Sequence, residues 1–134
     1  MDIVCIEDNE DFTFFLSKAL KDLDTIEYGI YGLATDAMGA LSNGEISLPK
    51  MFLLDIDLPD MDGFTFLREL RDSSLYRNIP VVMLSSSDNP TDIQKATQLG
   101  ANAYVTKPGG FKQIKGMVED ICDFWLKHHK LPAA

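Results

Sequence analysis

Met51-Phe52-Leu53-Leu54-Asp55-Ile56-Asp57 is an apolar run that ends abruptly in acid. Its four consecutive apolar residues leave no polar face. That suits a central parallel strand covered by helices on both sides. Val81-Val82-Met83-Leu84, entered through Pro80, has the same two-faced character and runs into Ser85-Ser86-Ser87. Ile3-Val4-Cys5-Ile6 is followed by Glu7-Asp8, and Ala103-Tyr104-Val105 by Thr106-Lys107-Pro108. Ile26, Tyr28 and Ile30 alternate with Glu27 and Gly29 and supply one more strand.

Between these runs the apolar period turns helical. Phe12, Phe15, Leu16, Ala19, Leu20 and Leu23 share one helix face behind an Asn9 cap. Ala34, Ala37, Met38 and Leu41 predict a short helix stopped by Asn43-Gly44. Phe64, Leu67 and Leu70 mark the next. Asn89 is an N-cap, and Pro90 takes the one helical position that welcomes proline. Ile93, Ala96 and Leu99 then lead to a stop at Gly100. Phe111, Ile114, Val118, Ile121 and Trp125 stripe the last helix, core-facing first and a dimer face second. Strict alternation with short connections implies right-handed βαβ units. The expected fold is α/β: a flavodoxin-like doubly wound (βα)5 with a parallel five-stranded sheet in the order 2-1-3-4-5. One domain is expected over residues 1–127, with a C-terminal tail over 128–134.

Composition narrows the function. The 134 residues are 46% apolar and 25% charged, which excludes a disordered or low-complexity chain. Twelve basic residues against 21 acidic ones leave a formal charge of −9, so phosphate backbones and anionic lipid are repelled. Nucleic acid is therefore not an expected partner, whereas metal cations and basic patches on proteins are. No apolar run approaches the roughly 18 residues of a membrane span, and Met1-Asp2-Ile3-Val4 lacks the basic start of a secretory signal. Cys5 and Cys122 lie in apolar patterns and read as reduced core residues of a cytoplasmic protein. His128 and His129 are adjacent, point different ways on a helix and read as surface.

In sheets of this kind ligands bind beyond the carboxyl ends of the strands, at the switch point between strands 1 and 3. Glu7, Asp8 and Asp55 stand there, with Ser85 and Lys107 on the neighbouring strand ends. Carboxylates that close raise one another's pKa and call for a cation. A hard divalent ion suits oxygen ligands, and Mg²⁺ is the usual cytosolic one. Carboxylate, metal, ammonium and hydroxyl together can host a phosphoryl group, with a carboxylate as nucleophile. Taken alone, Glu7-Asp8 would be a solvated surface pair; its position after a strand, matched by Asp55, favours a site. Asp62-Gly63 also reads as turn chemistry before a helix.

Four segments carry a family resemblance: Ile6-Glu7-Asp8-Asn9; Leu54-Asp55-Ile56-Asp57-Leu58-Pro59-Asp60-Met61-Asp62-Gly63; Ile79 to Ser86; and Gly100 to Pro108. In this order they resemble the receiver domain of two-component response regulators, the family that includes the single-domain chemotaxis regulator. The resemblance spans essentially the whole chain. It implies that Asp55 accepts a phosphoryl group from a sensor histidine kinase or phosphotransfer protein. It implies that Asp8 and Asp55 bind Mg²⁺, with Glu7 helping through water and the backbone carbonyl of Asp57 completing the set. Ser85 would bond a phosphoryl oxygen, Lys107 would pair with it, and Tyr104 would be the aromatic switch. The strand 4–strand 5 face with the fourth helix would meet a downstream protein, from a monomer or weak homodimer. The ending Asp123 to Pro132 is similar to single-domain regulators paired with phytochrome-type kinases, with no output domain expected.

Three departures stand out from that pattern. Glu7 replaces the commoner Asp, which lengthens the arm. Ser85 replaces Thr, keeping the hydroxyl but losing the methyl that restricts its rotamer. Gly109-Gly110 precede Phe111, which predicts a looser loop beside the partner face. Rival readings are a haloacid-dehalogenase-like phosphatase using Asp55 as nucleophile, a flavin carrier and a receiver-like binding module that takes no phosphate. The phosphatase would need its second acidic pair downstream of the lysine and a cap domain. The flavin reading conflicts with the acidic Glu7-Asp8-Asn9-Glu10-Asp11 segment.

Overall fold

Apolar strands with no polar face need cover on both sides, and the chain supplies it. The computed structural model describes residues 1–132; Ala133 and Ala134, the end of the expected tail, lie outside the described residues. Strands β1 (Ile3–Ile6), β2 (Tyr28–Tyr31), β3 (Met51–Asp55), β4 (Val81–Ser85) and β5 (Ala103–Thr106) form one parallel sheet in the order β2-β1-β3-β4-β5. Helices α1 (Glu10–Lys21), α2 (Ala34–Ser42), α3 (Gly63–Asp72), α4 (Pro90–Gln98) and α5 (Phe111–Cys122) alternate with them. The expected fold and strand order are those observed. Among the described residues no helix is long and apolar enough to cross a membrane.

Successive residues of the central strands face opposite layers. Val4, Ile6, Phe52, Leu54, Val81 and Met83 pack against α2, α3 and α4. Ile3, Cys5, Met51, Leu53, Val82 and Leu84 pack against α1 and α5. Every residue of β1, β3 and β4 is buried, whereas the edge strands β2 and β5 are half-exposed. At roughly 25 cal/mol per Å² of apolar surface, these two layers supply most of the drive to fold.

The caps follow the sequence closely. Asn9, Asp62 and Asn89 each accept a backbone N–H near the start of their helix. Gly100, at φ 101°, turns the chain out of α4, and its carbonyl accepts from Arg71 Nε at 2.9 Å. Arg71 also donates to the carbonyls of Arg77 and Ile79 and to Asn102 Oδ1, while Asn102 Oδ1 accepts from the Val81 N–H. One guanidinium thus ties the entries of β4 and β5 to the end of α3.

Three expectations differ in detail. Ile26 precedes β2 rather than joining it. The α4 stripe is only partly a core stripe: Ala96 is fully buried, but Ile93 is 36% exposed. Past α5 the backbone widens into a π-helical segment, Asp123–His128, closed by a bond from the His129 N–H to the Phe124 carbonyl at 2.8 Å. Helical structure therefore runs to His128, one residue into the expected tail, and Trp125 is half-buried against Phe124 and His129.

Gly63 is more than turn chemistry. A Cβ there would lie 2.2 Å from the Asp55 carbonyl oxygen and 2.8 Å from Ile56 Cα, both of them backbone atoms that cannot swing away. Gly63→Ala should therefore cost at least about 2 kcal/mol, read as a lower midpoint in urea unfolding; unchanged stability would show that the close approach is relaxed in solution.

Candidate functional site

Asp55 is the last residue of β3, and Glu7 directly follows β1, its neighbour in the sheet. In-register pairing of Ile6 with Leu54 therefore sets the two acids side by side. Asp8 follows on the loop into α1. Each of Glu7, Asp8 and Asp55 offers a carboxylate oxygen within 4.8 Å of the others'. Glu7 and Asp55 are 3% and 4% exposed, while Asp8 is open to solvent.

Lys107 reaches this cluster from the end of β5. Its Nζ stands 3.4 Å from Asp55 Oδ2, contacts Glu7 Oε1 and lies 4.9 Å from the centre of the Phe12 ring. The loop holding it is fixed by the Lys107 N–H, which donates to the Ser85 carbonyl at 2.7 Å. Glu7 Oε2 accepts from the Asn9 N–H. Glu7 Oε1, although Lys107 Nζ lies against it, is the one buried side-chain oxygen among the described residues without a well-directed hydrogen bond. Burial first, and the charge of Glu7 second, push the Asp55 carboxyl up to about 7; Lys107 and the Asp57 backbone work against this rise.

Three acids against one ammonium leave the cluster short of positive charge. A carboxyl that resists ionisation and an all-oxygen donor set fit a hard divalent cation. The Asp57 side chain is exposed and lies outside the cluster, so only its backbone bears on Asp55. Glu7 also contacts Lys107, so it joins the acid cluster to the end of β5.

Ser85 and Tyr104 stand beside the acids rather than among them. The fully buried Ser85 Oγ accepts from the Ser87 N–H at 3.0 Å, and Tyr104 Oη donates to the Ser87 carbonyl at 2.7 Å. Ser87 Oγ in turn donates to Asp92 Oδ2 on α4 and accepts from the Asn89 N–H. Ser87, which the sequence offers only as a loop residue, is thus the junction between the two. Nothing local marks it, because its partners come from β4, α4 and β5.

A groove of about 660 Å³ adjoins the acids, bounded by Glu7, Asp8, Phe14, Leu33 and Pro59. The larger concavity, about 700 Å³, lies around Asp2, Lys50, Cys122 and Leu126 at the other end of the sheet. None of Glu7, Asp8, Asp55, Ser85, Tyr104 and Lys107 lines it, so size does not mark the site in this molecule.

Comparison with known proteins agrees with this geometry. The response regulator receiver domain family matches residues 3–119. The probable methanogenesis regulatory protein FilR2 of Methanothrix harundinacea is 34% identical over 134 residues, covering 97% of this chain and 86% of its own. Response regulator Rcp1 of Synechocystis sp. is 32% identical over 139 residues, covering 98% and 93%. A crystal structure of Rcp1 in its Mn(2+)-bound form superimposes with a TM-score of 0.85 over 98% of each chain. The phosphorylated cyanobacterial phytochrome response regulator RcpA, 33% identical, gives a TM-score of 0.90 over 98% of both chains.

Because the Asp55 carboxyl is raised in the folded state above its ordinary value near 3.8, the native protein holds a proton there that the unfolded chain releases. Its contribution to stability is full below pH 4 and is lost as pH rises through about 7. Asp55→Asn should stabilise the cation-free protein at pH 8 by on the order of 1 kcal/mol, a figure discounted for solvent at the open side of the cluster, and hardly at pH 4. Thermal unfolding at the two pH values checks this; an equal effect at both would remove the charge argument.

Proposed function

The chain belongs to the response regulator receiver domain family of two-component systems, and from that premise we propose that Asp55 is its phosphoryl acceptor, working with Mg²⁺. Receiver domains take their phosphoryl group from histidine kinases or phosphotransfer proteins. The observation that carries the assignment is the gathering of Glu7, Asp8 and Asp55 at the sheet end with Lys107 Nζ 3.4 Å from Asp55 Oδ2. Family membership leaves the haloacid-dehalogenase alternative without support.

In the proposed transfer, an Asp55 carboxylate oxygen attacks the phosphorus of a phosphohistidine. The N–P bond breaks and the imidazole nitrogen keeps its electron pair. Asp8, Asp55, Glu7 and the Asp57 backbone carbonyl would hold Mg²⁺, which would supply neutralising charge to the transferring oxygens. Lys107 adds a second positive charge from a position already set by Glu7 and Asp55. Hydrolysis later adds water across the Asp55 O–P bond, which returns the carboxylate and releases inorganic phosphate.

The switch we propose runs through Ser87. A phosphoryl oxygen on Asp55 draws the Ser85 hydroxyl toward it and away from the Ser87 N–H. The β4–α4 loop then shifts, and Tyr104, bonded to the Ser87 carbonyl, loses its present partner. The α4–β5 face changes shape, and a downstream protein reads it. A 1:99 to 99:1 reversal takes about 5.5 kcal/mol of differential interaction. We place the receiver at residues 1–127 and its site of action in the cytoplasm.

Treatment with acetyl phosphate and Mg²⁺ should add one phosphoryl group to the peptide containing Asp55, read by mass spectrometry, and Asp55→Asn should take none. Full labelling of Asp55→Asn would move the acceptor elsewhere. A wild-type chain that stays unlabelled would favour the phosphate-independent binding module. Lys107→Ala should still bind divalent ions but should leave the Tyr104 resonances unmoved on phosphorylation.

A further inference from the structure

The loop from β3 to α3, residues 56–62, carries Asp57 and runs beside the acid cluster. Its ends are tied: the Gly63 N–H donates to the Ile56 carbonyl at 2.7 Å, and Asp62 caps α3 through the Thr65 N–H at 2.8 Å. Between them Leu58 and Met61 pack against the core, contacts that have no preferred direction. The directional tie is Asp60. Its Oδ1 accepts from the Ala34 N–H at 3.1 Å and its Oδ2 from the Thr35 N–H at 2.9 Å.

Those amides open α2, which has no cap of its own. Leu33 occupies the N-cap place in extended backbone and offers no side-chain oxygen. Asp60 therefore caps a helix some 25 residues upstream of it. The backbone bond from Thr35, with that from Ala34, lowers its carboxyl to about 2, so it is ionised throughout the physiological range and meets the positive end of the α2 dipole.

We propose that Asp60 is a positioning residue for the phosphoryl and metal site: by tying the middle of the β3–α3 loop to the start of α2, it sets where the Asp57 backbone stands relative to Asp55. This rests on the metal-dependent phosphorylation of Asp55 proposed above. Removing the tie leaves the loop anchored at Ile56 and at Gly63 and free to bow between them, in a stretch that begins at Asp57. A residue that orients a ligand set acts on affinity without touching the ion, commonly by tenfold or more.

A pair of variants separates positioning from simple helix capping. Asp60→Ala removes both functions. Leu33→Ser placed in the Asp60→Ala background gives α2 a neutral cap of its own without tying the loop. Mn²⁺ affinity by electron paramagnetic resonance, the Asp57 amide resonance and acetyl-phosphate labelling are measured for each. Asp60→Ala should weaken Mn²⁺ binding roughly tenfold, shift the Asp57 amide and slow labelling. Adding Leu33→Ser should restore Tm and the exchange protection of the first α2 amides, but neither the affinity nor the Asp57 resonance. Asp60→Asn, which keeps one carbonyl acceptor, should fall between, and it stands in if Asp60→Ala does not fold. Wild-type Mn²⁺ affinity in Asp60→Ala, or its full return with Leu33→Ser, would overturn the proposal. A wild-type chain that neither binds Mn²⁺ nor is labelled would overturn the functional reading beneath it instead.

Discussion

Glu7, Asp8 and Asp55 crowd against a single ammonium at the carboxyl end of the sheet, and that excess of negative charge shapes the rest of the molecule. Parallel β1 and β3 leave Glu7 and Asp55 no route apart, because their strands pair in register up to the residue before each. Lys107 is shared between Glu7 and Asp55 and cannot satisfy both. The cost appears as a raised Asp55 carboxyl. A divalent cation at the cluster would relieve that crowding, and the phosphoryl group proposed for Asp55 would change which partner Lys107 serves.

A switch also needs the altered charge to reach a surface. Ser87 provides a short path, since its N–H and carbonyl are bonded to Ser85 and to Tyr104 on different strands, and its hydroxyl to α4. Ser85 ends β4, the sheet neighbour of the strand that carries Asp55, while Tyr104 and Asp92 belong to β5 and α4. α4 suits movement, because Ala96 is its only fully buried residue. α3, by contrast, buries five residues, and Arg71 locks its end to the entries of β4 and β5. Rigid and loose helices thus lie side by side around one loop.

Much of this was legible in the residues. Two-faced apolar runs such as Met51–Leu54 and Val81–Leu84 identified central strands, and Asn9, Asp62-Gly63 and Asn89-Pro90 marked helix starts that the structure reproduces. The acids stood out because they follow strands directly, so alternation alone placed them on one edge. Less legible were features whose partners are distant in sequence. Asp60 reads as one more loop acid, yet it caps α2. Ser87 reads as a loop serine, yet it links two strands and a helix. Gly63 reads as turn chemistry, yet what requires it is the Asp55 carbonyl.

Local chemistry in the chain determined the element types and the set of residues that follow the strands, because hydrophobic period and capping act over a few neighbours. Only the tertiary structure decided that Glu7 turns to Lys107, that Asp60 crosses to α2 and that the last helix widens after Cys122. Those choices depend on how loops from separate βα units meet, and the free energy of such a meeting belongs to no single stretch of sequence.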